Sequence, residues 1–177
     1  MNNIKNIKIF FFLILFTFIF TQSKSEIKIA IIEMERVITQ SLAGKSLLVQ
    51  VKKIDDKNKK YFSATKKKLD SEKNKINSQK NILSKEEYEK KVLTLNKDFK
   101  NYQSDGKQKI KLLETKRNNV MKKIINEVNL ILSEYSDKNQ LTLIIDQNNI
   151  VMGKKNLNIT DEILKLLDTK MKKVSLN

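Results

Sequence analysis

The chain has 177 residues, a formal net charge of +16 and neither cysteine nor histidine, which excludes thiol nucleophiles, zinc sites built on these residues and histidine-based proton transfer. Its three glycines are isolated and it has no proline, so a glycine-rich phosphate-binding loop is excluded and long helices are allowed. The excess charge lies in the middle, where residues 52–123 contain 23 basic and 10 acidic residues.

The first 25 residues have the layout of an export signal. Lys5 and Lys8 precede the apolar run 9–20, and small polar residues up to Ser25 follow. A basic start, an apolar stretch and small residues before a cleavage site are typical of a secretory signal peptide. An uncleaved anchor is the alternative, but this run spans only about 18 Å as a helix, against about 30 Å of hydrocarbon. We expect cleavage near Ser25.

A buried strand is predicted next. Residues 27–32 (IKIAII) are short, β-branched and almost continuously apolar, as in a strand of a covered sheet. Three residues on one face are predicted to form body core or an oligomerisation surface: Ile27, Ile29 and Ile31. Residues 33–43 are predicted to be a short helical connection, with Gly44 permitting the turn into the next helix.

Two long helices follow. From about residue 45 a sparse apolar stripe recurs at helical spacing and thins after Leu69, where several asparagines predict fraying. Ser84 and Glu87 form a predicted capping box. It opens a second helix from Lys85 to about Asp137, about 80 Å long. The stripe on this helix is interrupted at Gly106 and Arg117.

These helices are predicted to bury their stripes against each other as an antiparallel hairpin with its tip near residues 77–84. Each stripe is narrow and each opposite face is charged. The result is a projecting arm over residues 45–137.

The apolar period returns to two after the arm. Residues 141–146 (LTLIID) are predicted to form a strand, residues 147–149 a turn and residues 150–152 a further short strand. Body-core or oligomerisation residues are predicted here too: Leu141, Leu143, Ile145 and Ile150. Thr160 is predicted as the N-cap of a terminal amphipathic helix.

This order brings both ends of the mature chain together. We predict a mostly helical α+β fold in which residues 26–44 and 138–177 form a small β-rich body of about three short strands and short helices, with the arm inserted. So few strands need a covered apolar face and leave edges unpaired. The body is therefore predicted to oligomerise, with the number of subunits left open.

The body segments resemble those of the Skp/OmpH family. They are residues 28–32 with Met34, residues 141–146, residues 148–151 and residues 158–164, arranged around a basic hairpin. The resemblance covers residues 26–173 and implies a periplasmic, jellyfish-like homotrimer with three arms around a cavity. It implies an ATP-independent holdase chaperone that binds unfolded outer-membrane proteins and prevents their aggregation. It also implies contact with lipopolysaccharide or an anionic membrane surface.

The residues that we expect to bind clients are apolar stripe positions and neighbouring lysines on the arm. They are Tyr61, Phe62, Leu69, Ile76, Tyr88, Leu95, Phe99, Tyr102, Lys66, Lys67, Lys68, Lys90 and Lys91. Many weak contacts inside an enclosure would give avidity. We expect neither enzyme activity nor a cofactor or metal, because no nucleophile–base pair can be assembled. The carboxylates at residues 55–56 and 86–89 are expected to be solvated helix surface.

Two other classes stay open. A nucleic-acid-binding protein is supported by the net charge and the lysine-rich helices, but the export signal and the presence of only two arginines oppose it, and no specific nucleic acid is expected. A structural coiled coil of the envelope is weakened by the interrupted stripe. The charge of the arm likewise has two interpretations, a solubility device or an attraction for acidic partners.

Overall fold

The computed structural model describes residues 27–176, so the predicted signal peptide lies outside the described residues. The elements are β1 (Ile29–Ile32), α1 (Met34–Gln40), α2 (Leu42–Ser78), α3 (Lys85–Asn139), β2 (Leu143–Asp146) and α4 (Thr160–Lys170), with short 3-10 turns at Gln147–Asn149 and Lys155–Leu157. The prediction of a mostly helical α+β fold with a long two-helix hairpin is confirmed. Within residues 27–176, no helix combines the length and the apolar character needed to cross a membrane.

The hairpin is the connection between two parallel strands. β1 and β2 pair in parallel, with Ile29 opposite Leu143 and Ile32 opposite Asp146. Parallel neighbours need a long crossover connection, and here α1, α2 and α3 together provide it. The two ends of the described chain therefore meet in one body, from which the hairpin projects as the arm.

The second edge of β1 is covered by a segment other than the predicted one. The prediction of a third strand at residues 150–152 is wrong. Instead, Asn158 forms an isolated parallel bridge with Ile31, and the Ile159 N–H donates to the Ile31 carbonyl at 2.9 Å. Because this edge is already occupied, Val151 and Met152 have no strand to pair with in the described chain and are almost fully exposed.

β1 turns its even-numbered residues towards the interior, where Ala30 and Ile32 are buried. Successive side chains of a strand point to opposite faces, so the members of the predicted set that lie in the strands are on the other face: Ile29, Ile31, Leu143 and Ile145. Of that set only Ile31 is buried; the others are exposed or half-buried: Ile27, Ile29, Leu141, Leu143, Ile145 and Ile150. Leu141 packs against the buried core, and the assignment of the set to the body core or to an oligomerisation surface stays a prediction.

One apolar cluster, the body cluster, joins the chain ends to the base of the arm. Its buried members are Ala30, Ile32, Val37, Ala43, Leu47, Val120, Ile124, Val128, Ile131, Ile159, Ile163, Leu167 and Leu176. They come from β1, from all four helices and from the C-terminal tail. The base of α2 and of α3 thus shares its interior with the body, and the predicted domain boundaries stay a prediction.

The chain turns sharply between α1 and α2 at Ser41. The buried Ser41 hydroxyl donates to the Ile38 carbonyl and accepts from the Gly44 N–H, both at 3.1 Å. The prediction of a turn at Gly44 is wrong, because Gly44 lies in the first turn of α2. A Cβ at position 44 would collide with the Ile38 carbonyl, so glycine is needed there for the close approach of the two helices.

Polar contacts fasten α4 and the tail to the start of α2. The Asp168 carboxylate accepts from the Leu42 N–H at 2.7 Å, which satisfies a donor at the exposed end of α2. The Gln50 side chain donates to the Val174 carbonyl at 2.7 Å and accepts from the Leu176 N–H at 3.3 Å. The tail after α4 is therefore part of the packed body.

The start of α4 is tied to the end of β1. The buried Thr160 hydroxyl accepts from the Glu33 N–H at 2.9 Å, while the Asn158 side chain accepts from the Thr160 N–H at 2.9 Å. The prediction of Thr160 as the N-cap is wrong, because its hydroxyl is taken by a distant backbone group and α4 begins at this residue.

The tip of the arm is ordered by a capping box, as predicted. The Glu87 N–H donates to the Ser84 hydroxyl at 3.3 Å, and the Glu87 carboxylate accepts from the Ser84 N–H at 3.1 Å. The prediction of fraying after Leu69 is wrong, because α2 continues to Ser78 and buries Ile76 against α3.

Candidate functional site: the mid-arm cleft

The two arm helices are held together at two separate places. Near the body, Leu47 on α2 packs with Val120 and Ile124 on α3 as part of the body cluster. Near the tip lies a second cluster, the arm-tip cluster, made of Leu69, Ile76 and Leu95 with Tyr88, Val92, Phe99 and Tyr102 packed against them. The stretch between the two clusters has no buried apolar residue.

A cleft of about 1290 Å³ opens between α2 and α3 in that stretch, and we call it the mid-arm cleft. Its α2 wall consists of Leu48, Val51, Lys52, Asp55, Asn58, Lys59 and Phe62. Its α3 wall consists of Tyr102, Gln103, Gly106, Lys107, Ile110, Leu113, Glu114 and Arg117. This volume is above the range of about 300–1,000 Å³ that is usual for small-molecule pockets.

Residue choice at the facing positions explains the cleft. Gly106 and Arg117 stand where the α3 stripe would place apolar side chains, and the polar Asn58 on α2 lines the same cleft. A glycine leaves space, while a guanidinium keeps its charged end in water. Ile110 consequently loses its cover and is 60% exposed.

Aromatic rings form the end of the cleft nearest the tip. The Phe62 ring packs edge-to-face with Tyr61 and Tyr102, at centroid distances of 5.1 and 5.7 Å. Such pairs are stabilising beyond their buried area. The Lys109 ammonium lies 5.4 Å from the centroid of the Tyr61 ring, a cation–π distance. Phe62 thereby separates the cleft from the arm-tip cluster.

The rim of the cleft carries more positive than negative charge. Lys59 pairs with Asp55 at 2.7 Å, and this hydrogen bond, followed by the charge of Asp55, raises the pKa of Lys59. Among residues 27–176, three further cations on the rim have no ion-pair partner: Lys52, Lys107 and Arg117. The only other rim carboxylate is Glu114, so unneutralised cations remain available to a ligand.

The predicted client-binding residues fall into three groups. Leu69, Ile76 and Leu95 form the interior of the arm-tip cluster and offer little surface to a partner. The aromatic residues are half-buried or half-exposed on the arm: Tyr61, Phe62, Tyr88, Phe99 and Tyr102. The lysines are exposed: Lys66, Lys67, Lys68, Lys90 and Lys91. Client binding by any of them stays a prediction.

Some of these lysines converge near the tip. Lys68 from α2 and Lys90 and Lys91 from α3 line one shallow groove of about 390 Å³. Lys66 points elsewhere and pairs with Asp70 at 2.7 Å, a hydrogen bond that raises the pKa of Lys66. The structure thus brings three of the five predicted lysines together.

Sequence reasoning missed most of the cleft. Of its lining residues, only Phe62 and Tyr102 were among the predicted client-binding set. The interruptions at Gly106 and Arg117 are visible in the sequence, where they indicate a weakened coiled coil but not, by themselves, a cleft. Two interruptions about three turns apart on a hairpin helix are the signal that could have located the opening.

A family model described as outer membrane protein (OmpH-like) matches residues 28–167. That range contains both strands, both arm helices and most of α4. This chain belongs to the OmpH-like family. The sequence resemblance to Skp/OmpH is thereby confirmed.

The OmpH-like fold is also found among solved structures. A candidate outer membrane chaperone (OmpH-like) from Caulobacter crescentus CB15 superposes with a TM-score of 0.79 and is 18% identical in sequence. The alignment covers 86% of this chain and 90% of that chain. Among curated proteins, none has a sequence that matches this chain. At this identity the structural likeness establishes the shared fold.

Proposed function

We propose that this protein is an ATP-independent holdase chaperone of the periplasm, which binds unfolded outer-membrane proteins between basic helical arms and prevents their aggregation. The observation that carries the proposal is the arm, whose two long helices are lysine-rich outside and separate into an apolar-floored cleft. Membership of the OmpH-like family and the likeness to a candidate outer membrane chaperone support it.

The proposed mechanism uses many weak contacts in place of one pocket. α3 is about 80 Å long by its helical rise and exposes scattered apolar side chains, among them Leu93 and Ile110. Each contact alone is weak, but an enclosed client meets many at a high effective concentration. Binding of this kind needs neither a nucleotide nor a catalytic group, and we propose that the protein has no enzyme activity.

Charge adds to this mechanism. Residues 52–123 carry a net charge of +13, so neighbouring arms repel each other and an open cavity between them is favoured. The same charge attracts acidic clients and speeds encounter, more strongly at low salt. Both effects predict that client capture weakens as ionic strength rises.

Assembly into a homotrimer is part of the proposal. Apolar residues without cover gather on the body: Ile27, Ile29, Leu143, Val151 and Met152. Exposed apolar patches on a soluble body are typical of interaction surfaces, and burying this one between subunits would also cover strand backbone that is otherwise unpaired. The number of three subunits comes from the resemblance to the Skp/OmpH family.

Location in the periplasm and contact with anionic membrane surfaces complete the proposal. The export signal in the sequence supports the location. Three lysines, Lys68, Lys90 and Lys91, against two carboxylates, Glu72 and Asp98, leave one groove near the tip with a net positive charge. This charge supports binding of lipopolysaccharide or another anionic surface.

The test is suppression of the aggregation of a denatured β-barrel membrane protein, followed by light scattering. The protein is compared with a variant in which residues 58–115 are replaced by a short turn. None of the body-cluster residues lies in that range, so the shortened chain keeps its apolar core. We expect protection by the protein without ATP and little protection by the shortened chain; equal protection would remove the arm from the mechanism.

The two other classes make different predictions. A nucleic-acid-binding protein would be found in the cytoplasm, whereas the proposed chaperone is recovered from the envelope fraction without its first 25 residues. A structural coiled coil would behave in sedimentation as a rod, whereas the proposed assembly has three subunits and a compact body.

A further inference from the structure

We propose that the mid-arm cleft of each hairpin is itself a client-binding site, which takes an extended segment that alternates apolar and acidic side chains. This inference rests on the proposed function and deepens it. It places binding between the two helices of one arm, in addition to the space enclosed by neighbouring arms.

The floor of the cleft fits apolar side chains. Leu48 and Val51 on α2 and Ile110 and Leu113 on α3 line it. Leu48 and Ile110 are 51% and 60% exposed, while Val51 and Leu113 are half-buried. The half-buried Phe62 and Tyr102 rings, which pack edge-to-face on each other, close one end of the floor. Covering this surface would remove apolar area from water, which favours binding.

The length of the cleft fits a short extended segment. Its α2 wall runs from Leu48 to Phe62, about 20 Å by helical rise. Six residues of extended chain cover about the same length, and every second side chain points to the same face. Strands of membrane β-barrels alternate apolar and polar residues with this period, so one face of such a segment would meet the floor.

The positive charge on the rim of the cleft favours a segment with acidic side chains. Arg117 is one of only two arginines in the chain; the other, Arg36, is engaged with Asp161 at 2.6 Å. Arg117 stands at a stripe position beside the cleft and has no ion-pair partner among residues 27–176. A guanidinium binds a carboxylate through two parallel hydrogen bonds, and Lys52 and Lys107 lie elsewhere on the same rim. Acidic side chains on the outer edge of the segment would meet these three cations.

Two neighbouring leucine-sized residues on α3 give a matched pair for the test. Ile110 lines the cleft and is 60% exposed, while Leu112 lies outside it and is 56% exposed. Ile110→Glu and Leu112→Glu therefore introduce the same negative charge at positions of similar exposure on the same helix. Gly106→Leu provides a second, uncharged variant, because its side chain would fill the cleft beside Phe62.

The experiment measures binding of a fluorescein-labelled peptide of about twelve residues, with valine and phenylalanine alternating with aspartate and serine, by anisotropy. A second peptide has lysine in place of aspartate. We expect the aspartate peptide to bind the unmodified protein at least about tenfold more tightly, and Ile110→Glu and Gly106→Leu to weaken it by about tenfold or more. Leu112→Glu should change the affinity for the aspartate peptide by less than about threefold.

Equal losses in Ile110→Glu and Leu112→Glu, or unchanged binding in Gly106→Leu with its helix content preserved, would overturn the cleft as the site. No binding of the aspartate peptide would overturn it as well. The same samples are assayed for suppression of aggregation. If the protein suppresses aggregation but binds the peptide outside the cleft, or does not bind it, the proposed function stands and this inference is overturned. If the protein does not suppress aggregation, the proposed function itself is overturned.

Discussion

The ring of Phe62 on α2 packs over the backbone of Gly106 on α3, where an added Cβ would lie 3.7 Å from the nearest ring carbon. That distance is an ordinary van der Waals contact, so no steric demand requires glycine at position 106. The position contrasts with Gly44, where the Ile38 carbonyl leaves no room for a side chain. The consequence of Gly106 is the missing side chain itself, which opens the cleft and weakens the helix.

Gly106→Ala should therefore stabilise the protein. A glycine in a helix interior costs about 1 kcal/mol relative to alanine, and the new methyl group would gain contact with Phe62 without displacing it. We expect the free energy of unfolding in urea to rise by about 0.5–1 kcal/mol. A loss of stability would mean that the helices are closer at this point than described.

Removing a body-cluster side chain should be far more costly than removing its neighbour. Ile131 is 1% exposed inside the body cluster, while Leu130 on the same helix is 59% exposed. We expect Ile131→Ala to lower the free energy of unfolding by about 2–5 kcal/mol and Leu130→Ala by about 0.5 kcal/mol or less. Similar losses for both would contradict the orientation of α3 on the body.

The capping box predicts a pH-dependent tip. Hydrogen bonds from the Ser84 hydroxyl and then from the Ser84 N–H lower the pKa of Glu87 below its ordinary value. Because the folded-state pKa is the lower one, the stabilisation is complete above the unfolded value of about 4.3 and is lost as pH falls through the folded value. Amide hydrogen exchange in the first turn of α3, divided by the intrinsic rate, should rise over that range.

Substitutions at two glutamates check the assignment. Glu87→Gln should remove the acid-dependent change, since glutamine can accept the same hydrogen bonds but does not titrate. Glu89→Gln, on the same helix outside the capping box, should leave it in place. Persistence of the change in Glu87→Gln would contradict the assignment to this carboxylate.

The C-terminal tail should contribute to stability. Leu176 is buried in the body cluster, and its N–H donates to the Gln50 side chain at 3.3 Å. We expect Leu176→Ala to lower the free energy of unfolding by about 2 kcal/mol. This is the lower end of the range for truncating a buried leucine, because a chain end can move to fill the space. Ser175→Ala, at an exposed position beside it, serves as the control and should have little effect.

The arm was predictable because its signals are local. The steps of three and four that begin at Tyr88 identify a helix face, and Ser84 with Glu87 identifies its start. Both depend on residues within a few positions of one another. The predicted helix from Lys85 accordingly agrees with α3 as observed.

The body was less predictable because its details depend on contacts between distant parts of the chain. Residues 29–32 are all apolar, so the pattern does not say which face of β1 is inward. Whether Ile150 or Asn158 meets the second edge of β1 depends on the path of the loop between them. The burial of Leu176 depends on Gln50, more than a hundred residues away, and a lysine-rich tail gives no sign of it.

The mid-arm cleft falls between these cases. The interruptions at Gly106 and Arg117 are local and visible. Their effect depends on the register of the two helices, which places Phe62 against Gly106 and Asn58 in the α2 wall of the same cleft. A large apolar residue in place of Asn58 would have narrowed the gap.

Amide hydrogen exchange with and without a bound, denatured β-barrel membrane protein tests the central claim most directly, because it maps which part of the protein holds the client. The account predicts slower exchange along the arm, strongest around Phe62 and Ile110 at the cleft, with the amides of β1, β2 and α4 unchanged. Protection confined to the body, with the arm exchanging as in the free protein, would contradict it.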